Sequence, residues 1–186
     1  MDAINALLTR NSCALLEEPA PQGAVREQIF QAALRAPDHA NLKPWRFLCV
    51  EGDARQELGQ LMCESALKDR PDLDEATQKK LSQAPLRAPL VIIVVARITE
   101  HPKVPELEQL LSAGAALSNM LIAAHATGFA GIWRTGDISF SRSFMDVVGL
   151  SNNEQIIGFL YLGTAKAKAK KLPNLSTAEY FENWTA

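Results

Sequence analysis

Three short stretches carry side chains whose types and spacing suit chemistry. The richest is Arg35-Ala-Pro-Asp-His-Ala-Asn-Leu-Lys-Pro-Trp45. It sets Asp38, His39, Asn41 and Lys43 between two prolines and then switches to the apolar run from Trp45 to Val50. A stiffened polar loop between a helix and a core strand is a good place to hold a ligand. The second stretch, Arg10-Asn11-Ser12, offers a cation and a hydroxyl just past a short helical pattern. A cation is favoured at a helix C-terminus in any case, so Arg10 reads equally as a dipole partner. The third, Trp133-Arg134-Thr135-Gly136, takes a charge off the end of an apolar run, where it needs a partner or water. Gly136 can adopt a positive φ and turn backbone N–H groups toward an anion. A plain strand-to-helix turn with Trp133 in the core is the alternative.

The elements that must position these groups follow from periodicity and punctuation. Helices are expected over residues 3–10, 25–36, 54–67, 74–83, 106–127 and 140–148, and strands over 46–50, 90–96, 130–134 and 156–162. The helix before the polar loop should stop at Ala36, because the residue preceding Pro37 is pushed out of the helical region. The strands are continuous apolar runs, a pattern suited to a sheet covered on both faces. Helices between most of them make the class α+β or α/β. Leu107, Leu110, Leu111, Gly114, Leu117, Leu121 and Ala124 recur at helical spacing in the longest helix, whose middle, Ser112 to Ala116, is nearly bare of bulk. That bareness permits a tight internal crossing or a subunit interface.

Composition narrows the function. At 186 residues the chain is most simply one domain, 1–186. A net charge of -2 argues against nucleic acid as a general partner. The start, Met1 to Asn5, has no basic, apolar leader, and the run Leu90 to Ala96 is far too short to span a bilayer. Cys13, Cys49 and Cys63 are odd in number and widely spaced, so a disulfide or metal framework is not expected and a reducing cytoplasm is the simplest home. His39, His101 and His125 are too scattered for zinc. Dinucleotide, P-loop, zincin and nucleophile-elbow signatures are missing. A thiol hydrolase built on Cys13 has no histidine ordered beside it in the sequence.

In register, these motifs resemble the nitroreductase family of flavin oxidoreductases. The loop is similar to that family's Pro-x-x-x-Asn-x-x-Pro-Trp segment, Arg10-Asn11-Ser12 to its Arg-x-Ser, and Gly131 to Gly136 and Gly158 to Gly163 to its later segments. The likeness covers nearly the whole chain. It implies a nitroreductase-like α+β fold, with a central mixed β-sheet flanked by helices and a C-terminal segment reaching the partner of a homodimer. It implies FMN as cofactor and NADH or NADPH as reductant. By resemblance Arg10 pairs the phosphate and Ser12 donates to the phosphate or ribityl chain. Asn11 stands where relatives often carry a second basic residue. Arg35 and His39 match flavin-contacting positions, and Asn41 the one that bonds the ring edge. Lys43 replaces a common glutamine and brings a cation near the ring. Trp133, Arg134, Thr135 and Gly136 close the site, with Arg134 on the phosphate. No catalytic side chain and no metal is expected, since placement and ring polarity carry flavin chemistry. A flavin-sequestering protein with poor turnover would share every one of these residues. From Thr164 onward, alternating lysine and alanine read as a solvated tail, but Tyr180, Phe181 and Trp184 demand burial against something.

Overall fold

The computed structural model describes residues 1–168 and 170–185. Its elements run α1 (Ala3–Thr9), β1 (Leu16–Glu17), α2 (Gly23–Ala33), β2 (Trp45–Glu51), α3 (Ala54–Asp69), α4 (Glu75–Ser82), β3 (Leu90–Arg97), α5 (Glu106–Ala126), β4 (Ala130–Arg134), α6 (Arg142–Val147) and β5 (Glu154–Ala165). Short polar side chains start three of the helices. Asp2 accepts from the Asn5 N–H, Asp74 from Thr77 and Ser141 from Phe144.

The centre is β3. Leu90, Ile92 and Val94 enter one core with α2 and α5, while Val91, Ile93 and Val95 enter a second core with α3 and α6. All six are at most 1% exposed, so the strand is buried on both faces, as its unbroken apolar run implied. β3 pairs with β2 on one edge and β5 on the other. β5 also pairs with β4, and at its C-terminal end with β1. Every ladder between the named strands is antiparallel, and the parallel component is an isolated bridge between Ser12 and Gly131.

Three expectations shift. α2 ends at Ala33 rather than Ala36, and Arg35 and Ala36 close tight turns onto the Ala32 and Ala33 carbonyls. Arg35 therefore sits beyond the helix, not in its last turn. β2 is an edge strand of mostly half-buried residues instead of a core strand. β1, two residues long, had no readable signature. α5 is the one helix among the described residues long and apolar enough to cross a membrane, and its packing accounts for that hydropathy: Ala113, Ala116, Leu117, Met120 and Ala124 are all core. Ile4, Leu7 and Leu8 of α1, with Leu107 and Leu111 of α5, stay exposed. So do the tail aromatics, with Trp184 at 87%.

Candidate functional site

The polar loop is held in an unusual backbone. Ala40, Asn41 and Lys43 all have positive φ, at 60°, 57° and 51°. Each costs of order 1 kcal/mol or more for a residue with a side chain, and such strain clusters at ligand sites. The Asp38 carboxylate compensates by accepting from the Leu42 and Lys43 N–H groups at 3.1 and 2.8 Å. Buried Ser112 of α5 donates to the Pro37 carbonyl and ties the loop to the core. Arg35, Asn41 and Lys43 then line an open cavity of about 320 Å³ with Trp45 at its side. His39 lies next to it in sequence but pairs outward, its Nδ1 2.7 Å from Glu108 Oε2 on α5.

Arg10, Asn11 and Ser12 line a different cavity, of about 470 Å³, between the start of the chain, the end of α5 and the residues after β5. The strand-like pairing of Ser12 and Cys13 with Gly131 fixes their backbone. Gly131 is obligatory there, since a Cβ would sit 2.8 Å from the Tyr161 carbonyl and from a Leu162 methyl. Arg10 Nη1 is buried without a hydrogen-bond partner among the described residues. A guanidinium nitrogen so placed lacks its acceptor, and the cavity is where an anion would supply one. Asn11 Nδ2 donates to the Lys170 carbonyl at 2.6 Å, which brings Lys168 and Lys170 to the rim. These lysines and His125, which pairs with Thr9 Oγ1 at 2.9 Å, were not singled out by sequence. Their signal was only a lysine-alanine alternation that reads as solvated.

Arg134, Thr135 and Gly136 line a third cavity, of about 340 Å³, under α3 and α4. It shares no lining residue with the Arg10 cavity, so within one chain Arg10 and Arg134 line separate cavities. The reason is strand alternation. Arg134 falls on the face of β4 that carries Ile132 toward Tyr161 and Phe159, and its Cζ lies 5.9 Å from the Tyr161 ring centroid. Trp133 takes the opposite face, beside Gly114 of α5. Its indole Nε1 donates to the Ile157 carbonyl at 3.3 Å, at the bulge where β3 and β5 change register. Gly158 makes room for it, because a Cβ there would stand 2.2 Å from that nitrogen. Gly136 has φ 141° and ψ 177°, a conformation essentially reserved for glycine. Among the described residues there is no cluster of metal-ligating side chains and the three cysteines are free.

An antiparallel sheet sandwiched between helix layers, with arginine-lined cavities at the edge of its last strands, defines an α+β fold that recurs among solved structures. The fold matches the nitroreductase-like family protein of Bacillus cereus with a TM-score of 0.84 at 21% identity, over 100% of this chain and 97% of that one. It matches a variant of the FMN and NADPH-dependent nitroreductase NfnB of Sphingopyxis sp. strain HMH with a TM-score of 0.77 at 17% identity, over 98% of each chain. These two likenesses concern the fold alone. A model of the nitroreductase family matches residues 7–164, and the chain belongs to that family. It is 42% identical over 175 residues, 94% of each chain, to the protein called "Putative NAD(P)H nitroreductase YdjA" in Escherichia coli K12.

Proposed function

We propose that this chain is a single-domain, homodimeric, FMN-dependent oxidoreductase that works in the cytoplasm. The observation that carries the reading is Arg10 Nη1, buried without a partner among the described residues, beside Ser12 in a cavity rimmed by Lys168 and Lys170. Three cations and a hydroxyl suit a phosphate monoester, whose oxygens accept several charge-assisted bonds. Arg10 and Ser12 bind the phosphate, and Asn11 orients the lysine-bearing segment through its bond to Lys170. Trp133, Thr135 and Gly136 follow the same strand edge and line the ring. Arg35, His39, Asn41 and Lys43 form a separate cavity in one chain. They therefore reach the same flavin from the second subunit, with Asn41 at the ring edge and Lys43 favouring the reduced ring. Exposed Ile4, Leu8, Leu107 and Leu111 support burial of the α1–α5 face in that dimer, and exposed Tyr180, Phe181 and Trp184 support a tail that crosses to the partner.

FMN held there would supply ping-pong hydride transfer from NADH or NADPH to an electron-poor acceptor such as a nitroaromatic or quinone. The protein contributes placement and ring polarity, and no side chain need relay a proton. Purified protein mixed with FMN and freed of excess should be yellow and should oxidise NAD(P)H with a quinone. Protein that stays colourless after FMN is added refutes the reading. Yellow protein that fails to turn over with either nicotinamide identifies a flavin-sequestering protein instead.

A further inference from the structure

Arg10 owes its place to α1, and within one chain α1 is lightly held. Ala6 is its one buried residue, while Ile4, Leu7 and Leu8 face outward. The Arg10 N–H donates to the Ala6 carbonyl at 3.1 Å, so the Arg10 backbone moves with the helix. Among the described residues, one side-chain hydrogen bond ties α1 to the rest of the chain. It joins Thr9 Oγ1 to Nε2 of His125, in the last turn of α5, at 2.9 Å. Ser12, by contrast, is fixed to β4 through Gly131. The spacing of the Arg10 guanidinium and the Ser12 hydroxyl thus depends on two anchors, one at the start of β4 and one at the end of α5.

The Thr9–His125 bond has a definite direction. A hydroxyl has one proton to give. Thr9 places it on the Asn5 carbonyl at 2.6 Å, a far better acceptor than the Met1 sulfur at 3.9 Å. Thr9 Oγ1 therefore accepts, and His125 donates through Nε2–H. Both residues line the cavity of Arg10, Ser12, Lys168 and Lys170, and no carboxylate among the described lining residues competes for the imidazole proton.

We propose that His125 is a positioning residue for phosphate binding, holding the end of α1 through Thr9 so that Arg10 stays aimed at the cavity. The proposal rests on the phosphate reading of Arg10. Without the tie Arg10 swings with α1, and a ligand must order it on binding, which lowers affinity although His125 itself does not touch the phosphate.

The test is the FMN dissociation constant of the full chain, read by flavin fluorescence quenching in single and double variants. His125→Ala should raise it ~3- to 10-fold, the range of a neutral hydrogen bond. Thr9→Val, which removes the hydroxyl and keeps the shape, should do the same. His125→Gln, whose amide nitrogen stands close to the imidazole Nε2, should recover most of the loss, which a mere packing role would not predict. In an Arg10→Ala background, His125→Ala should cause no further loss, because its effect passes through Arg10. Unchanged affinity in both His125→Ala and Thr9→Val overturns the proposal, as does a glutamine variant no better than alanine. So does an additive loss in the Arg10→Ala background, which would make His125 a direct ligand or a general support. Unaltered FMN affinity in Arg10→Ala sinks the phosphate reading and this inference together. A weakened Arg10→Ala beside unaltered His125→Ala and Thr9→Val sinks this inference alone.

Discussion

Two arginines of similar exposure should respond to alanine in opposite ways. Arg10 Nη1 and Arg46 Nε are both buried without a hydrogen-bond partner among the described residues, but Arg46 also donates through Nη2 to Glu154 at 2.9 Å and to the Gly149 carbonyl at 3.1 Å, while Arg10 faces an open cavity. Glu154 is 4% exposed, and beyond Arg46 it is held by Arg97 and the Ser151 N–H. Arg46→Ala strips one cation from a buried carboxylate. That costs ~3 kcal/mol, the low end of the range for breaking buried pairs because Arg97 remains. FMN affinity should not change. Arg10→Ala removes an unsatisfied donor, worth ~1–3 kcal/mol of desolvation in the ligand-free protein, and also the packing of its stem. The two nearly cancel, so the ligand-free midpoint in urea should move by less than ~1 kcal/mol. The loss appears only with ligand. One or two charge-assisted bonds at ~1.5–3 kcal/mol each correspond to a 10- to 100-fold or greater rise in the FMN dissociation constant, read by flavin fluorescence quenching. Equal FMN affinities in Arg10→Ala and Arg46→Ala, or a ligand-free protein that Arg10→Ala destabilises as much as Arg46→Ala, would refute the assignment.

Other expectations are simpler to read. For Glu154, burial favours the neutral acid, but the Ser151 N–H, Arg97 and Arg46 outweigh it and hold the carboxyl below its ordinary 4.5. The stability this contributes is complete above that value and is lost as pH falls through the lower, folded one. Glu154→Gln should therefore be less stable at pH 7, with a midpoint in urea that falls less steeply between pH 5 and the acid limit, and a parallel acid limb in both proteins would contradict this. Gly158→Ala should displace Trp133, lower stability by ~1–3 kcal/mol and shift the indole N–H resonance of that residue, and an unchanged NMR spectrum would count against the close approach. Leu111→Glu on the exposed face of α5 should convert a dimer to a monomer in light scattering and weaken FMN with it. A parent protein that is monomeric at micromolar concentration with FMN bound removes the two-chain site.

Much of the fold was legible because burial writes plainly into sequence. The seven apolar residues from Leu90 to Ala96 have no polar break, and only a strand covered on both faces tolerates that. α5 declared itself by its leucine spacing. Boundaries near the polar loop were misread because Pro37 constrains Ala36 alone, while the chain leaves the helix earlier through turns whose carbonyl acceptors lie in the helix itself. The candidate site was legible as residue types, not as an arrangement. Arg10 and Arg134 looked equivalent as arginines beside apolar segments. Which face of β4 each neighbour takes is set by pairing with β5, and that pairing sends Arg134 to the Tyr161 side and Trp133 to the Gly114 side. Lys168 and Lys170 were illegible for another reason. Their place beside Arg10 depends on Asn11 bonding a carbonyl far along the chain, and no local pattern reports that contact.

The twelve residues of β5 serve β3, β4 and β1 at once. Inserting or deleting a single amino acid between Gly158 and Leu162 would slide three ladders together and turn Phe159 and Leu160 into each other's layers. Divergence among relatives of this molecule should accordingly spare the length of that segment, and length variation should collect in the turn between α3 and α4, where no strand has to keep count.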